Sequence, residues 1–165
     1  LRDKNFITTN NVNESHLLDT SFQLEAFQYR EQDLTVSVGQ RLRGYIKRGV
    51  PSYQAFLRCQ NHMLAVAHAY VDRIILEQFI HRIAACTDTG TKVTLKRICD
   101  LYAIHTMETH KGWYLEQGVM SGNKPKAVRR LVDKLCLELR RDALPLVQAF
   151  GIPEACLGAP IAELA

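Results

Sequence analysis

Apolar residues recur three, four or seven positions apart along most of the chain, and this period predicts amphipathic helices. The first is expected over residues 21–48, with Leu24, Phe27, Leu34, Val38, Leu42 and Tyr45 on its inner side. Asp19, Thr20 or Ser21 can cap it, and Thr20 with Gln23 has capping-box spacing. Gly39 and Gly44 weaken its interior, and Gly49-Val50-Pro51 ends it. A second helix is expected over residues 52–86, capped by Ser52. Phe56, Met63, Ala67, Tyr70 and Ile74 form one stripe, widened by Leu57, Leu64, Val71, Ile75 and Phe79. A stripe that wide is covered on more than one side, which places this helix at the centre of a bundle.

Asp88-Thr89-Gly90 breaks the chain, and a third helix starts near Thr91. It carries Val93, Ile98, Leu101, Tyr102, Ile104 and Met107 towards Gly112-Trp113, where it either bends or passes through. The fourth is expected over residues 124–150, capped by Asn123 with Pro125 in its first turn. Val128, Leu131, Leu135, Leu139, Leu146 and Phe150 are its inward face. Pro145 should kink it, because proline removes the backbone bond to position 141. Gly151 and Pro153 stop it. No segment alternates with a period of two, so no sheet is expected. The fold class is all-α: an antiparallel bundle of about four long helices with short connections.

At 165 residues and 47% apolar content the chain has one-domain length and material for a core. Residues 1–20 open without helical or strand period and read as a linker from a preceding domain, leaving residues 21–165 as the helical domain. Apolar runs fall far short of the roughly 20 residues that span a bilayer. Net charge is +4. Basic residues cluster at Arg41/Arg43/Lys47/Arg48 and at Lys124/Lys126/Arg129/Arg130; the plain reading is a solvated face, the sharper one an anion site. Five cysteines, Cys59, Cys86, Cys99, Cys136 and Cys156, show no C-x-x-C pair. Four lie among apolar neighbours on predicted helices and read as buried, reduced thiols.

Sequence motifs for catalysis are scarce. No glycine-rich phosphate loop and no nucleophile elbow is present. His105 and Glu108 have the spacing of half a di-metal carboxylate site, but no second such pair follows, so no metal is expected. His62, His68 and His81 do not share one face of the second helix. Tyr29-Arg30-Glu31 allows two readings: Arg30 as an ion-pair partner inside the bundle, or a guanidinium that holds a carboxylate or phosphate. Trp113, the only tryptophan, reads as a packing or interface anchor.

Several runs resemble the C-terminal domain of acyl-CoA oxidases. They are Ala26-Phe27-Gln28-Tyr29-Arg30, Ala69-Tyr70-Val71-Asp72 with Phe79, Asp100-Leu101-Tyr102-Ala103, and Gly112-Trp113-Tyr114-Leu115-Glu116-Gln117-Gly118. The closing run is Leu146-Val147-Gln148-Ala149-Phe150-Gly151-Ile152-Pro153-Glu154, followed by Ala159-Pro160-Ile161. Pro145 departs from the family pattern. The resemblance implies an FAD enzyme of peroxisomal fatty acid β-oxidation. It converts fatty acyl-CoA and O2 to trans-2-enoyl-CoA and H2O2, using a carboxylate base and flavin hydride transfer. It also implies that the general-base Glu and most FAD contacts lie upstream of Leu1, so no catalytic residue is assigned here, and Glu77, Glu108 and Glu116 are not promoted to that role. The domain would then contribute structure and a homodimer interface, with Tyr29 and Arg30 as candidates for a nucleotide or interface contact. The chain closes Ala162-Glu163-Leu164-Ala165, which is not an S-K-L signal. Alternatives are an acyl-CoA dehydrogenase-like bundle or a non-enzymatic helical interaction module. No nucleic acid partner and no membrane span are expected.

Overall fold

The computed structural model describes residues 10–153 and Cys156. A single turn, α1 (Glu14–Leu17), precedes α2 (Thr20–Lys47). Leu17 is buried in the same core as the longer helices, so packing begins inside the stretch that reads as linker in the sequence. Asp19 caps α2 by accepting from the Ser21 amide at 2.9 Å. The expected Thr20–Gln23 capping box is not formed, because Gln23 is fully buried and donates to the Leu17 carbonyl and to Asp100.

Gly39 and Gly44 are passed without a break, and Gly49, at φ +79°, turns the chain into α3 (Ser52–Ala85). Pro51, not Ser52, occupies the cap position, and no side chain caps this end. Asp88 caps α4 (Thr89–Thr109) by accepting from the Thr91 amide at 2.7 Å. The bend near Gly112 falls at His110, after which α5 (Lys111–Glu116) carries Trp113 and Tyr114.

The fourth predicted helix is divided into α6 (Lys124–Leu139), a 3-10 turn (Arg140–Asp142) and α7 (Ala143–Gln148). Asn123 makes no side-chain cap bond. Pro145 lies in the first turn of α7, where an N–H would have no intrahelical acceptor, so the break is displaced upstream of the proline. Each 3-10 residue advances about 120° rather than 100°, which rotates the downstream face. Phe150, expected inward, lies past the end of α7 on an apolar groove that no described residue closes, and is 77% exposed.

Among the described residues the architecture is all-helical. Arg30 meets Asp72 and Ser37 meets His62, so α2 and α3 run antiparallel. Glu108 meets Arg129 and Asp142 meets Arg97, so α4 and the α6 end of the chain are antiparallel too. The core gathers Phe22, Phe27, Leu76, Ile104, Met107 and Leu131, with further residues of α4, α5 and α6. No member of it lies between Tyr29 and Leu76. The outer halves of α2 and α3 therefore form a two-helix arm, closed by Leu34 with the small residues Ala55, Cys59 and Ala69. At 1.5 Å per residue α3 is about 51 Å long and α4 only about 32 Å, so α4 cannot cover all of it.

Among the described residues α3 is consequently not enclosed, contrary to the sequence expectation. Phe56, Leu57, Leu64, Tyr70 and Val71 are all exposed. Its wide stripes exceed what α2 and α4 can cover. Of the four cysteines expected to be buried, Cys59 and Cys99 are buried and Cys86 half-buried, but Cys136 is exposed because it lies off the inward face of α6; Cys156 in the tail is exposed as well. Burial pushes the Cys99 thiol up to about 11, which keeps it protonated and unreactive.

Lys124, at the start of α6, is fully buried with its amine 4.3 Å above the Phe22 ring. Burial lowers its pKa to about 8, against an ordinary value of 10.5. The folded state then binds fewer protons than the unfolded state between these values, so stability rises with pH across that window. Between pH 8 and pH 10 the change in unfolding free energy in denaturant should be more favourable in the wild type than in Lys124→Met; the buried Cys99 and Tyr102, which act in the opposite direction, are common to both and cancel in the comparison.

Candidate functional site

A half-buried polar cluster lies where α2, α3 and the α4–α5 joint converge, around Asp72. Arg30, projecting from α2 and only 5% exposed, places Nη1 3.1 Å from Asp72 Oδ2. The Tyr102 hydroxyl of α4 donates to Asp72 Oδ1 and lies equally near the Asp72 carbonyl, both at 3.3 Å. His110 Nε2 stands 3.7 Å from Asp72 Oδ2. Each helix contributes one group because the antiparallel α2–α3 pairing brings positions 30 and 72 level.

Aromatic rings wall the cluster. Tyr29 packs on Trp113 at 5.7 Å between ring centres, and Trp113 meets Tyr114 edge-on at 5.1 Å. Phe27 and Phe79 flank Tyr102. The Tyr114 hydroxyl donates to the Ala26 carbonyl at 3.3 Å. Arg30 Nε is buried without an acceptor, although Nη1 is paired.

Burial, reinforced by the Asp72 charge, pushes the Tyr102 hydroxyl up to about 12. Burial and the Arg30 charge hold His110 below its ordinary value, with Asp72 pulling the other way. At pH 7 Tyr102 is protonated and His110 neutral. The cluster fastens three helices and leaves no carboxylate aimed into an open cavity. A nucleotide phosphate could reach Arg30 only if Arg30 left Asp72.

The other candidates are dispersed. Glu108 receives Arg129 at 3.2 Å and Lys111 at 3.4 Å, and His105 is exposed beside it. Among the described residues no three His, Cys, Asp or Glu side chains gather as metal ligands. Glu77 is held by Arg73 at 2.8 Å, with Glu31 on the other side of the same guanidinium. Glu116 is exposed. His62 bonds Ser37 at 2.9 Å, while His68 and His81 face outward. An apolar groove of about 570 Å³ lies between α4, α6 and α7, lined by Ile98, Leu101, Leu139, Leu146 and Phe150 with Arg140 at its edge.

Asp72, Tyr102 and His110 were not singled out as site residues by sequence reasoning. One signal for Asp72 was available: it is the first carboxylate after Asp33, and it interrupts a long apolar stretch. The expectation for the tail around Ala159-Pro160-Ile161 lies outside the described residues. No described helix is long and apolar enough to cross a membrane.

A family model described as acyl-CoA oxidase matches residues 19–164. The peroxisomal acyl-coenzyme A oxidase 2 of Arabidopsis thaliana is 36% identical over 98% of this chain, which spans 23% of that relative's length. A putative acyl-coenzyme A oxidase of Arabidopsis thaliana, 32% identical, is matched over 92% of this chain and 80% of its own length. Acyl-CoA oxidase 1 of Yarrowia lipolytica superposes in its crystal structure with a TM-score of 0.80 at 23% identity, over 91% of this chain and 22% of that one. The acyl-CoA oxidase-1 structure of Caenorhabditis elegans, described as complexed with FAD and ATP, gives 0.77 at 18% identity, over 87% of this chain and 22% of that one. The fold is theirs, and the matched sequence extends from the Asp19 cap almost to the last residue: this chain belongs to the acyl-CoA oxidase family.

Proposed function

We propose that this chain is the C-terminal helical domain of an FAD-dependent acyl-CoA oxidase of peroxisomal β-oxidation, and that it supplies structure and subunit interface rather than chemistry. Acyl-CoA and O2 would be converted to trans-2-enoyl-CoA and H2O2 by the longer protein. The observation that carries this reading is the apolar surface of α3 and α7. Leu64, Tyr70 and Val71 on α3, with Leu144 and Val147 on α7 and Phe150 just beyond it, are each at least half exposed. Apolar surface on this scale belongs against another protein surface. A homodimer partner and a preceding helical domain are the surfaces we assign to it.

The described residues do not form a flavin cradle. The polar cluster around Asp72 is filled by its own side chains, and among the described residues the α4–α6–α7 groove has Arg140 as its only charged wall. The cofactor and the general base are accordingly assigned to residues outside this chain. Tyr29 and Arg30 are assigned to bracing the α2–α3–α5 junction that presents the interface.

The test is direct. The longer protein, given a fatty acyl-CoA in air, should release peroxide stoichiometric with enoyl-CoA, and the 165-residue chain should release none. Reoxidation only by an added electron acceptor would favour a dehydrogenase-like activity, and turnover by this chain alone would end the reading.

A further inference from the structure

Between Asp33 and Asp72 the chain carries Arg41, Arg43, Lys47, Arg48 and Arg58 and no carboxylate at all. These residues map onto the two-helix arm, and all five are exposed. They lie on the last two turns of α2, at its C-cap and on the first two turns of α3, within about 12 Å along each axis of the turn at Gly49. Among the described residues none of the five makes an ion pair. By contrast Arg30, Arg73, Lys96, Arg97 and Lys134 nearer the core are all paired. Arg48 and Arg58 both stack on the Tyr45 ring, at 4.9 and 5.5 Å, which gathers two cations at one point. The unpaired N-terminus of α3 adds positive potential at the same tip.

Apolar side chains are interleaved with these charges. Ile46 and Phe56 are about half exposed, Leu57 is similar, and Tyr53 is 73% exposed. Like charges held together without counter-ions repel one another, and exposed aromatics gain nothing from water. Both features are relieved by a surface that is anionic above and apolar beneath.

We propose that the tip of the α2–α3 arm docks on anionic phospholipid bilayers. The cations would lie at the phosphate level, with Tyr53, Phe56, Leu57 and Ile46 sunk into the headgroup–acyl boundary. Charge complementarity selects this occupant. A nucleic acid rewards the arginines but not Ile46 or Leu57, because its outer surface is phosphate and sugar. A second copy offers little net charge to set against the tip: the whole chain is net +4, so setting the five cations aside leaves a remainder of only −1 (4 − 5). The association is peripheral, since no described helix can span.

The chain, and the longer protein, should co-sediment with vesicles of phosphatidylcholine containing phosphatidylserine, and salt should release them. Binding to phosphatidylcholine alone should be weak. Arg41→Gln/Arg43→Gln/Lys47→Gln should lower affinity about a hundredfold, at about tenfold or less per charge removed. Tyr53→Ser/Phe56→Ser should lower it while keeping the salt dependence. Control substitutions at Arg82 and Lys92, exposed but far from the tip, should bind as wild type. All these positions are on the surface, and unchanged thermal melting would establish that each variant is folded. Equal binding to neutral vesicles, no binding, wild-type binding by the triple variant, or displacement of the chain from vesicles by duplex DNA or by a second copy would overturn the proposal. None of these readouts depends on oxidase activity, so this assignment and the proposed enzymatic role stand or fall separately.

Discussion

Leu76→Ala is expected to destabilise the chain by about 3 kcal/mol, whereas Leu64→Ala, twelve positions earlier on the same helix, should cost under about 0.5 kcal/mol. Leu76 is fully buried within the core shared by α2, α4 and α6. Removing its three outer carbons leaves a cavity that surrounding side chains fill only in part. Leu64 is 52% exposed on the arm, where truncation leaves no void. For a domain of this size the first change lowers Tm by roughly 6–12 °C and the second by about 1 °C. Thermal and denaturant unfolding of the two variants measure the contrast. If Leu64→Ala proved as costly as Leu76→Ala in this chain alone, the arm would be packed, and the interface assignment would lose its basis. In the longer protein the contrast should narrow, because Leu64 would then be covered.

Asp72→Ala is the second large effect, at about 3 kcal/mol. The substitution strips Arg30 of its carboxylate while Arg30 stays 5% exposed, and it leaves the Tyr102 hydroxyl without its acceptor side chain. Most of the cost arises from an uncompensated buried guanidinium rather than from the loss of a favourable contact. Replacing both partners, as Arg30→Met/Asp72→Leu, should therefore recover most of the lost stability, because a hydrophobic pair of similar volume carries no desolvation penalty. A double-mutant cycle by denaturant unfolding decides this. A double variant at least as unstable as Asp72→Ala would show that the pair contributes through its charge, and the bracing role assigned to Arg30 would need a different explanation.

The long helices were legible because their apolar positions hold a strict helical period and end in strong signals. Gly49 with Pro51, and Asp88, fall where the structure turns. Pro145 correctly marked a break, but its consequence was not legible. A proline forbids one bond and does not say which earlier residues tighten into the 3-10 turn, nor that Phe150 falls past the end of α7 on an open groove. The extent of burial was also not legible. A wide apolar stripe indicates that a helix is covered, not whether the cover comes from the same chain. Hence α3 read as central when its outer half is exposed.

Capping shows the same competition between uses of one residue. Gln23 suits a capping box by spacing, yet Asp100, 77 positions away, and the Leu17 carbonyl claim its amide. The polar cluster was half legible. Arg30 could be named from its aromatic neighbour, but its partner depends on the α2–α3 register, which no local pattern specifies. The family resemblance rested on short runs around Tyr29, Trp113 and Phe150. The matched span of residues 19–164 covers all of them.

Apolar surface left open on α3 and α7 is expected to be closed by the rest of a longer protein. Hydroxyl-radical footprinting of Tyr70, Val147 and Phe150 in this chain and in the longer protein tests it most directly, with Tyr53 at the arm tip as an internal reference. Strong labelling of all four in the chain, and protection of all but Tyr53 in the longer protein, is the predicted result. Equal labelling of Tyr70, Val147 and Phe150 in both would contradict it.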